Sequence, residues 1–209
     1  MKKEHDIRVD RKLLHPWLNY KLTLLLKRCA KQGIYLIITE GFRSKEYQDK
    51  LYAKGRTAPG NRVTNARGCD YASQHQWGIA FDIAINDRQL LYDAATIRKV
   101  ATIAKDIGLS WGGDWTSPVD MPHFYLGKWG DTPLDLKKTY GTFDKFEKTW
   151  TRKVYGTEKG LNIWDETKSK VLKEKLPNGT TVNVMYEKSW YCKVEYNGIV
   201  GYMKKKYLK

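Results

Sequence analysis

Sulfur is scarce in this chain: three cysteines, Cys29, Cys69 and Cys192, lie scattered over 209 residues. An odd number with no metal-type pairing and no framework spacing excludes a disulfide scaffold, and free thiols of a reducing cytosol are the expectation. Long apolar runs are missing as well. Nothing approaches the ~18 consecutive apolar residues of a membrane-spanning helix, so no membrane insertion is expected. The opening Met-Lys-Lys-Glu-His-Asp carries positive residues with no apolar segment behind them, so no signal peptide is expected and synthesis in a cytoplasm is. Acidic residues are few: 23 Asp and Glu face 38 Lys and Arg, a net charge of +15. Such a surplus favours an anionic partner, whether nucleic acid, membrane surface or acidic wall polymer, and charge alone does not choose among them. What the chain does have is apolar and aromatic surface. Hydrophobic residues make up 41%, with 8 Trp and 14 Tyr, enough to core one medium domain or a medium and a small one, which excludes a disordered tail.

Periodicity sets the order of elements. Leu18, Leu22, Leu25, Leu26 and Cys29 recur at helical spacing and Gly33 follows as a stop, predicting a core-facing helix. Tyr35 to Thr39 is β-prone, and Ser44 can cap a helix over Lys45 to Lys54 that Gly55 ends. Residues 56 to 70 are polar and rich in Gly, Pro and Asn, a long loop of the kind that carries function. Ala80 to Ile85 alternates as a half-buried strand, with Phe81, Ile83 and Ile85 on one face and Asp82 on the other. Ala94 to Ile107 reads as a helix ended by Gly108, and Leu109 to Trp111 as the start of another strand. The mixture is α+β.

Composition shifts near residue 150. Residues 152 to 209 hold 13 Lys and Arg against 6 Asp and Glu, twice as basic per residue as what precedes them. Short β-prone runs (Val182 to Met185, Trp190 to Val194, Ile199 to Met203) are separated by Asn178-Gly179 and Asn197-Gly198, strong hairpin signals. A small all-β barrel is expected. The domain division is therefore 1–140, a linker over 141–153, and 154–209.

Of four histidines, His75 and His123 sit in segments dense with Gly, Trp and Asp rather than on an apolar face. In Ser73-Gln74-His75-Gln76-Trp77-Gly78-Ile79-Ala80-Phe81-Asp82 an imidazole and a carboxylate are bridged by a glycine turn into a strand. In Trp111-Gly112-Gly113-Asp114-Trp115 through Asp120-Met121-Pro122-His123 a second imidazole follows a second carboxylate. Two His and one carboxylate are the three protein ligands of a catalytic zinc that keeps a position open, and Asp120 could flank the metal's water as a base. The bland alternative is a set of hydrogen-bonded loop residues.

These motifs, with Gly41-Phe42-Arg43-Ser44, Gln48, Leu51-Tyr52, Lys54-Gly55-Arg56-Thr57, Pro59-Gly60 and Val63-Thr64-Asn65-Ala66 upstream, resemble the zinc peptidases that comprise bacteriophage L-alanyl-D-glutamate endolysins and D-alanyl-D-alanine carboxypeptidases, the endolysin branch in particular. The resemblance spans about residues 18 to 126. It implies a small mixed α+β peptidase domain of the hedgehog/D,D-peptidase-like type, one Zn2+ ion on His75, Asp82 and His123, Asp120 as catalytic carboxylate, Arg43 steadying the substrate carbonyl oxygen, and Ser73 near the substrate. Cys69-Asp70-Tyr71-Ala72 lengthens the approach to the first motif; Cys69 alone, without a base, is weighed as a fourth ligand or nucleophile and set below a plain loop thiol. Gly160-Leu161-Asn162-Ile163-Trp164, Trp190-Tyr191-Cys192-Lys193-Val194 and Gly198 through Met203 resemble a bacterial SH3-type cell-wall-binding domain, with Trp164 where an arginine is usual. Trp164, Trp190 and Tyr202 are then candidates for substrate binding, against a role in the barrel core. Taken together the expectation is a monomeric phage or prophage peptidoglycan hydrolase cutting the L-alanyl-D-glutamate bond of stem peptides in the cell wall after release, with no nucleic acid partner. A D-alanyl-D-alanine carboxypeptidase and a binding-only wall protein are the alternatives.

Overall fold

The computed structural model describes residues 4–129 and 133–209. The chain divides into two compact units, Met1–Phe143 and Asp144–Lys209.

The first unit opens with α1 (Glu4–Arg8) and a 3-10 turn at Arg11–Leu13, then α2 (Pro16–Ala30). Pro16 suits the first helical position, where no intrahelical N–H is needed, and His15 Nδ1 accepts from the Trp17 N–H at 3.2 Å. Of the predicted stripe, Leu18, Leu22, Leu25 and Cys29 are fully buried, and Leu26, at its margin, is only half-buried. Each fully buried leucine contributes roughly 1.5–3 kcal/mol by that burial. Lys21 lies on the same helix and is also buried; its ammonium donates to the carbonyls of Ile107 and Gly108, closing the end of a facing helix.

β1 (Leu36–Glu40) leads into α3 (Lys45–Ala53), whose cap is the Ser44 hydroxyl accepting from the Tyr47 N–H at 3.1 Å. β2 (Ala80–Ile85), α4 (Ala94–Asp106), β3 (Ser110–Trp111), β4 (His123–Tyr125) and α5 (Leu134–Tyr140) complete the unit. The sheet runs β1-β2-β4-β3 with every pairing antiparallel. β2 is thus an inner strand, and it corrects the half-buried expectation: Ala80 and Ala84 on the second face are as buried as Phe81 and Ile83, and only Asp82 keeps some surface. Small side chains on that face leave room for polar groups to pack over the sheet. The β2–β4 register sets Asp82 directly opposite His123.

The second unit is all-β apart from the short helix at its start and 3-10 turns. The unit boundary falls within α6 (Phe143–Glu147), and residues 151–153, inside the stretch expected as linker, form β5 (Thr151–Lys153). β6 (Leu161–Trp164), β7 (Val171–Leu176), β8 (Thr181–Glu187), β9 (Tyr191–Tyr196) and β10 (Ile199–Lys204) join it in one sheet of order β5-β8-β9-β10-β6-β7. Val154, Leu161, Ile163, Leu176, Val182, Val184, Cys192, Val194, Met203 and Leu208 form its core. Asn197-Gly198 makes the tight hairpin its sequence predicts, with φ of 49° and 81°, both in the left-handed region that such a turn needs. Asn178-Gly179 does not. It links β7 to β8, which are not neighbours in the sheet, and Asn178 instead exchanges hydrogen bonds with the backbone of Thr157. No helix among the described residues is long and apolar enough to cross a membrane.

Candidate metal centre

Three segments converge above the second face of the sheet. His75 stands on a 3-10 turn, Gln74–Trp77, locked by two buried neighbours: Gln76 Nε2 donates to the Gly68 carbonyl at 2.8 Å, and Trp77 Nε1 to that of Tyr71 at 2.8 Å. Asp82 comes from the middle of β2 and His123 from the first position of β4.

Their donor atoms form a near-equilateral triangle. His123 Nδ1 is 2.9 Å from Asp82 Oδ1, His75 Nε2 is 3.2 Å from His123 Nδ1, and His75 Nε2 is 3.3 Å from Asp82 Oδ1. A tetrahedral zinc with bonds of about 2.0–2.1 Å spaces neighbouring donors by roughly 3.3 Å, so the triangle fits one face of such a shell. The outer nitrogens decide which atoms point inward. His75 Nδ1 lies 2.7 Å from the Gly41 carbonyl and His123 Nε2 lies 2.6 Å from Gln74 Oε1. Each of those acceptors calls for an N–H, which leaves His75 Nε2 and His123 Nδ1 as lone pairs facing a carboxylate oxygen. Three lone pairs aimed at one point repel one another unless a cation lies between them. Among the described residues these three are the group whose ligand atoms lie close enough to hold a metal.

The electrostatics agree. Burial pushes the His75 imidazolium down, so the ring stays neutral. Burial alone would raise the Asp82 carboxyl, but the two imidazoles turned toward it, His75 first, outweigh that and hold it well below the usual range, so a carboxylate faces the point where the lone pairs meet. Asp120 goes the other way: burial first, then the nearby Asp82 carboxylate, raise it above the ordinary Asp value, as suits a proton acceptor.

Asp120 is placed by Gly112. The Asp120 N–H donates to the Gly112 carbonyl at 3.1 Å and the His123 N–H to the Asp120 carbonyl at 3.3 Å. A Cβ on Gly112 would stand 2.6 Å from the Asp120 carbonyl oxygen and 3.0 Å from His123 Cβ, so only glycine lets the two strands of this loop close up.

Arg43 is drawn in by acids. Its Nη2 is 3.6 Å from Asp82 Oδ2 and its Nε 3.6 Å from Glu40 Oε2, and the buried Nε makes no hydrogen bond. Glu40 is in turn gripped by Arg8 through Nε at 2.9 Å and Nη2 at 2.7 Å. The guanidinium is thus positioned by the charge of two acids rather than by hydrogen bonds. Arg43, Ser73, His75, Asp120 and His123 all line one cavity of about 510 Å³, which Arg62, Trp115 and the 63–66 segment complete. The Trp115 ring packs 5.0 Å from that of His123 and donates through Nε1 to Tyr125 Oη at 3.1 Å.

The candidates in the second unit fare differently. Tyr202, expected on a binding surface, is 2% exposed; its hydroxyl donates to Glu166 Oε1 at 2.9 Å and meets the Tyr186 hydroxyl at 2.8 Å, so it builds the interior. Trp164 pairs across from it on β6 and is half-buried, whereas Trp190 is 80% exposed. Cys69 lies on the surface beside Asp70 and is no part of the donor group. Gln74, Gly41 and Trp115 stand in the sequence motifs, which give them no role, and Glu40 is not singled out there; Gln74 next to His75 and Trp115 near His123 carry the signal of a polar and an aromatic neighbour to a candidate donor.

Known proteins resemble part of the chain. A family model described as D-alanyl-D-alanine carboxypeptidase, of the M15 peptidases, matches residues 67–126. The peptidoglycan L-alanyl-D-glutamate endopeptidase CwlK of Bacillus subtilis (strain 168) is 40% identical over 124 residues, covering 54% of this chain and 73% of CwlK. Among solved structures, the Serratia marcescens L-Ala D-Glu endopeptidase ChiX superposes with a TM-score of 0.44 at 20% identity, over 60% of this chain and 88% of ChiX. The vancomycin resistance D,D-pentapeptidase VanY does so with a TM-score of 0.40 at 16% identity, over 64% and 83%.

Proposed function

This chain belongs to the M15 family of peptidoglycan metallopeptidases, and on that premise we propose that it hydrolyses the L-alanyl-D-glutamate bond of wall stem peptides, using one zinc ion held by His75, Asp82 and His123. The observation that carries the chemistry is the preset triangle of lone pairs, which has no use in a purely packed loop cluster. Zinc bound there supplies Lewis acidity and water that is acidic near neutral pH. The chain's own residues do the rest. Asp120 accepts the proton of the attacking water and hands it to the departing D-glutamyl nitrogen as the C–N bond breaks, so the products are a carboxylate and an amine. Arg43, which lines the cavity beside Asp82, brings its positive charge to the substrate carbonyl oxygen as that oxygen becomes negative. Ser73 lines the same cavity and contacts substrate.

The second unit is a cell-wall-binding module of bacterial SH3 type, a reading supported by its motifs, its six-stranded all-β sheet and its basic surface. Trp190, exposed beside Lys204 and Lys206, is its foremost contact residue. Two modest affinities on one polymer raise effective concentration, so neither unit has to bind tightly. The upstream motifs favour the phage or prophage endolysin branch.

Product analysis tests the bond. Digestion of Gram-positive peptidoglycan, followed by mass spectrometry, should give fragments with new N-terminal D-glutamyl or D-isoglutaminyl residues. Free D-alanine with the L-Ala–D-Glu bond intact would instead make this a carboxypeptidase.

A further inference from the structure

Two cations line the cavity, and they are not equivalent. Arg43 is committed to Glu40 and Asp82. Arg62 has no carboxylate partner among the described residues; its one hydrogen bond is a long contact from Nε to the Gly55 carbonyl at 3.5 Å, which leaves both terminal nitrogens available. Yet the strap that carries it is tightly built. Arg56 stacks 4.0 Å over the Tyr52 ring and ties the strap down through Nη1 to the carbonyls of Tyr52 and Thr64 at 2.7 and 3.0 Å, and through Nη2 to Asn65 Oδ1 at 3.0 Å. Gln48, fully buried, donates to Thr64 Oγ1 at 3.0 Å and the Ala66 carbonyl at 2.9 Å. Gly55 sits so close that a Cβ there would come within 2.8 Å of the Arg62 backbone nitrogen. A rigid strap that presents an uncommitted guanidinium to a cavity is preorganised for an anion, since a rigid presenter loses little freedom when it binds.

We propose that Arg62 is the specificity residue for the free α-carboxylate of the D-glutamate that follows the scissile bond, so that the enzyme prefers stems in which this group is an acid over those in which it is an amide. The inference rests on the L-alanyl-D-glutamate reading. In a stem peptide the chain leaves D-glutamate through its γ-carboxyl, and the α-carboxylate therefore stands bare beside the nitrogen that is released. It is the one anion that every non-amidated substrate brings to the reacting bond. Arginine meets a carboxylate with paired N–H donors, and an amide offers one oxygen and no charge.

The test uses the full chain and two synthetic muropeptides that differ only in D-glutamate against D-isoglutamine. Arg62 is exposed and makes one weak bond, so Arg62→Gln keeps the fold. On the acid substrate Arg62→Gln should raise KM by roughly tenfold, the loss of one charge-assisted hydrogen bond, with kcat little changed. On the amide it should change neither constant, and Arg62→Lys should recover part of the preference. Equal loss on both substrates, or no loss on either, overturns the proposal while leaving the bond assignment intact. A wild-type enzyme that frees D-alanine from both and leaves L-Ala–D-Glu uncut overturns the bond assignment, and the role of Arg62 with it.

Discussion

Gln74 should control zinc affinity without touching zinc. Its Oε1 lies 2.6 Å from His123 Nε2, and both side chains are buried, at 5% and 4% exposure. Gln74→Leu keeps the volume and removes the acceptor. The His123 N–H then has no partner in a dry site, at a cost of about 1–3 kcal/mol, and the ring is free to turn its lone pair away from the triangle. Outer hydrogen bonds of this kind are worth roughly 10–100-fold in metal affinity, or about 1.4–2.8 kcal/mol. Gln74→Glu restores an acceptor, and a charged one, so it separates the hydrogen bond from mere packing. Zinc dissociation constants from chelator competition, with circular dichroism to confirm folding, provide the assay. The expected order is Gln74→Leu weakest, with wild type and Gln74→Glu tighter by at least tenfold or so. An unchanged zinc affinity in a folded Gln74→Leu would refute the idea that this bond sets the ring.

Other perturbations read other parts of the site. Gly112→Ala should cost on the order of 10²-fold in kcat at intact secondary structure, because the new methyl collides with the Asp120 carbonyl and His123 and shifts both; steady-state kinetics on wall fragments checks it. Asp120→Asn should lower hydrolysis by roughly 10²–10⁴-fold while one zinc still binds, which metal analysis of the purified variant would show. Leu22→Ala opens a void against the fully buried face of α2 and should destabilise the first unit by about 2–5 kcal/mol in urea unfolding followed by fluorescence.

The helices and strands were legible wherever one side-chain period dominated. The α2 stripe, the Ser44 cap and the Asn197-Gly198 hairpin all follow from spacing and turn chemistry within a few residues. The three candidate metal donors were legible for another reason: rare imidazoles set among Gly, Trp and Asp are poorly explained by packing. What sequence could not supply is pairing across distance. Asp82 meets His123 because β2 lies beside β4, and Arg43 is steadied by Glu40, which is itself held by Arg8 across 32 positions of chain. Asn178-Gly179 had the composition of a hairpin, but β8 finds its partners in β5 and β9 and the pair became a connection. Tyr202 had the look of a surface aromatic until Tyr186 and Glu166 claimed its hydroxyl.

Zinc on His75, Asp82 and His123 should be required for cleavage of the L-Ala–D-Glu bond, and titrating metal-free protein with zinc tests this most directly. The release of new D-glutamyl N-termini should rise in step with bound zinc, level off at one equivalent, and fail to rise in His75→Ala or His123→Ala. Full activity in metal-free protein, or zinc-restored activity in His123→Ala, would contradict it.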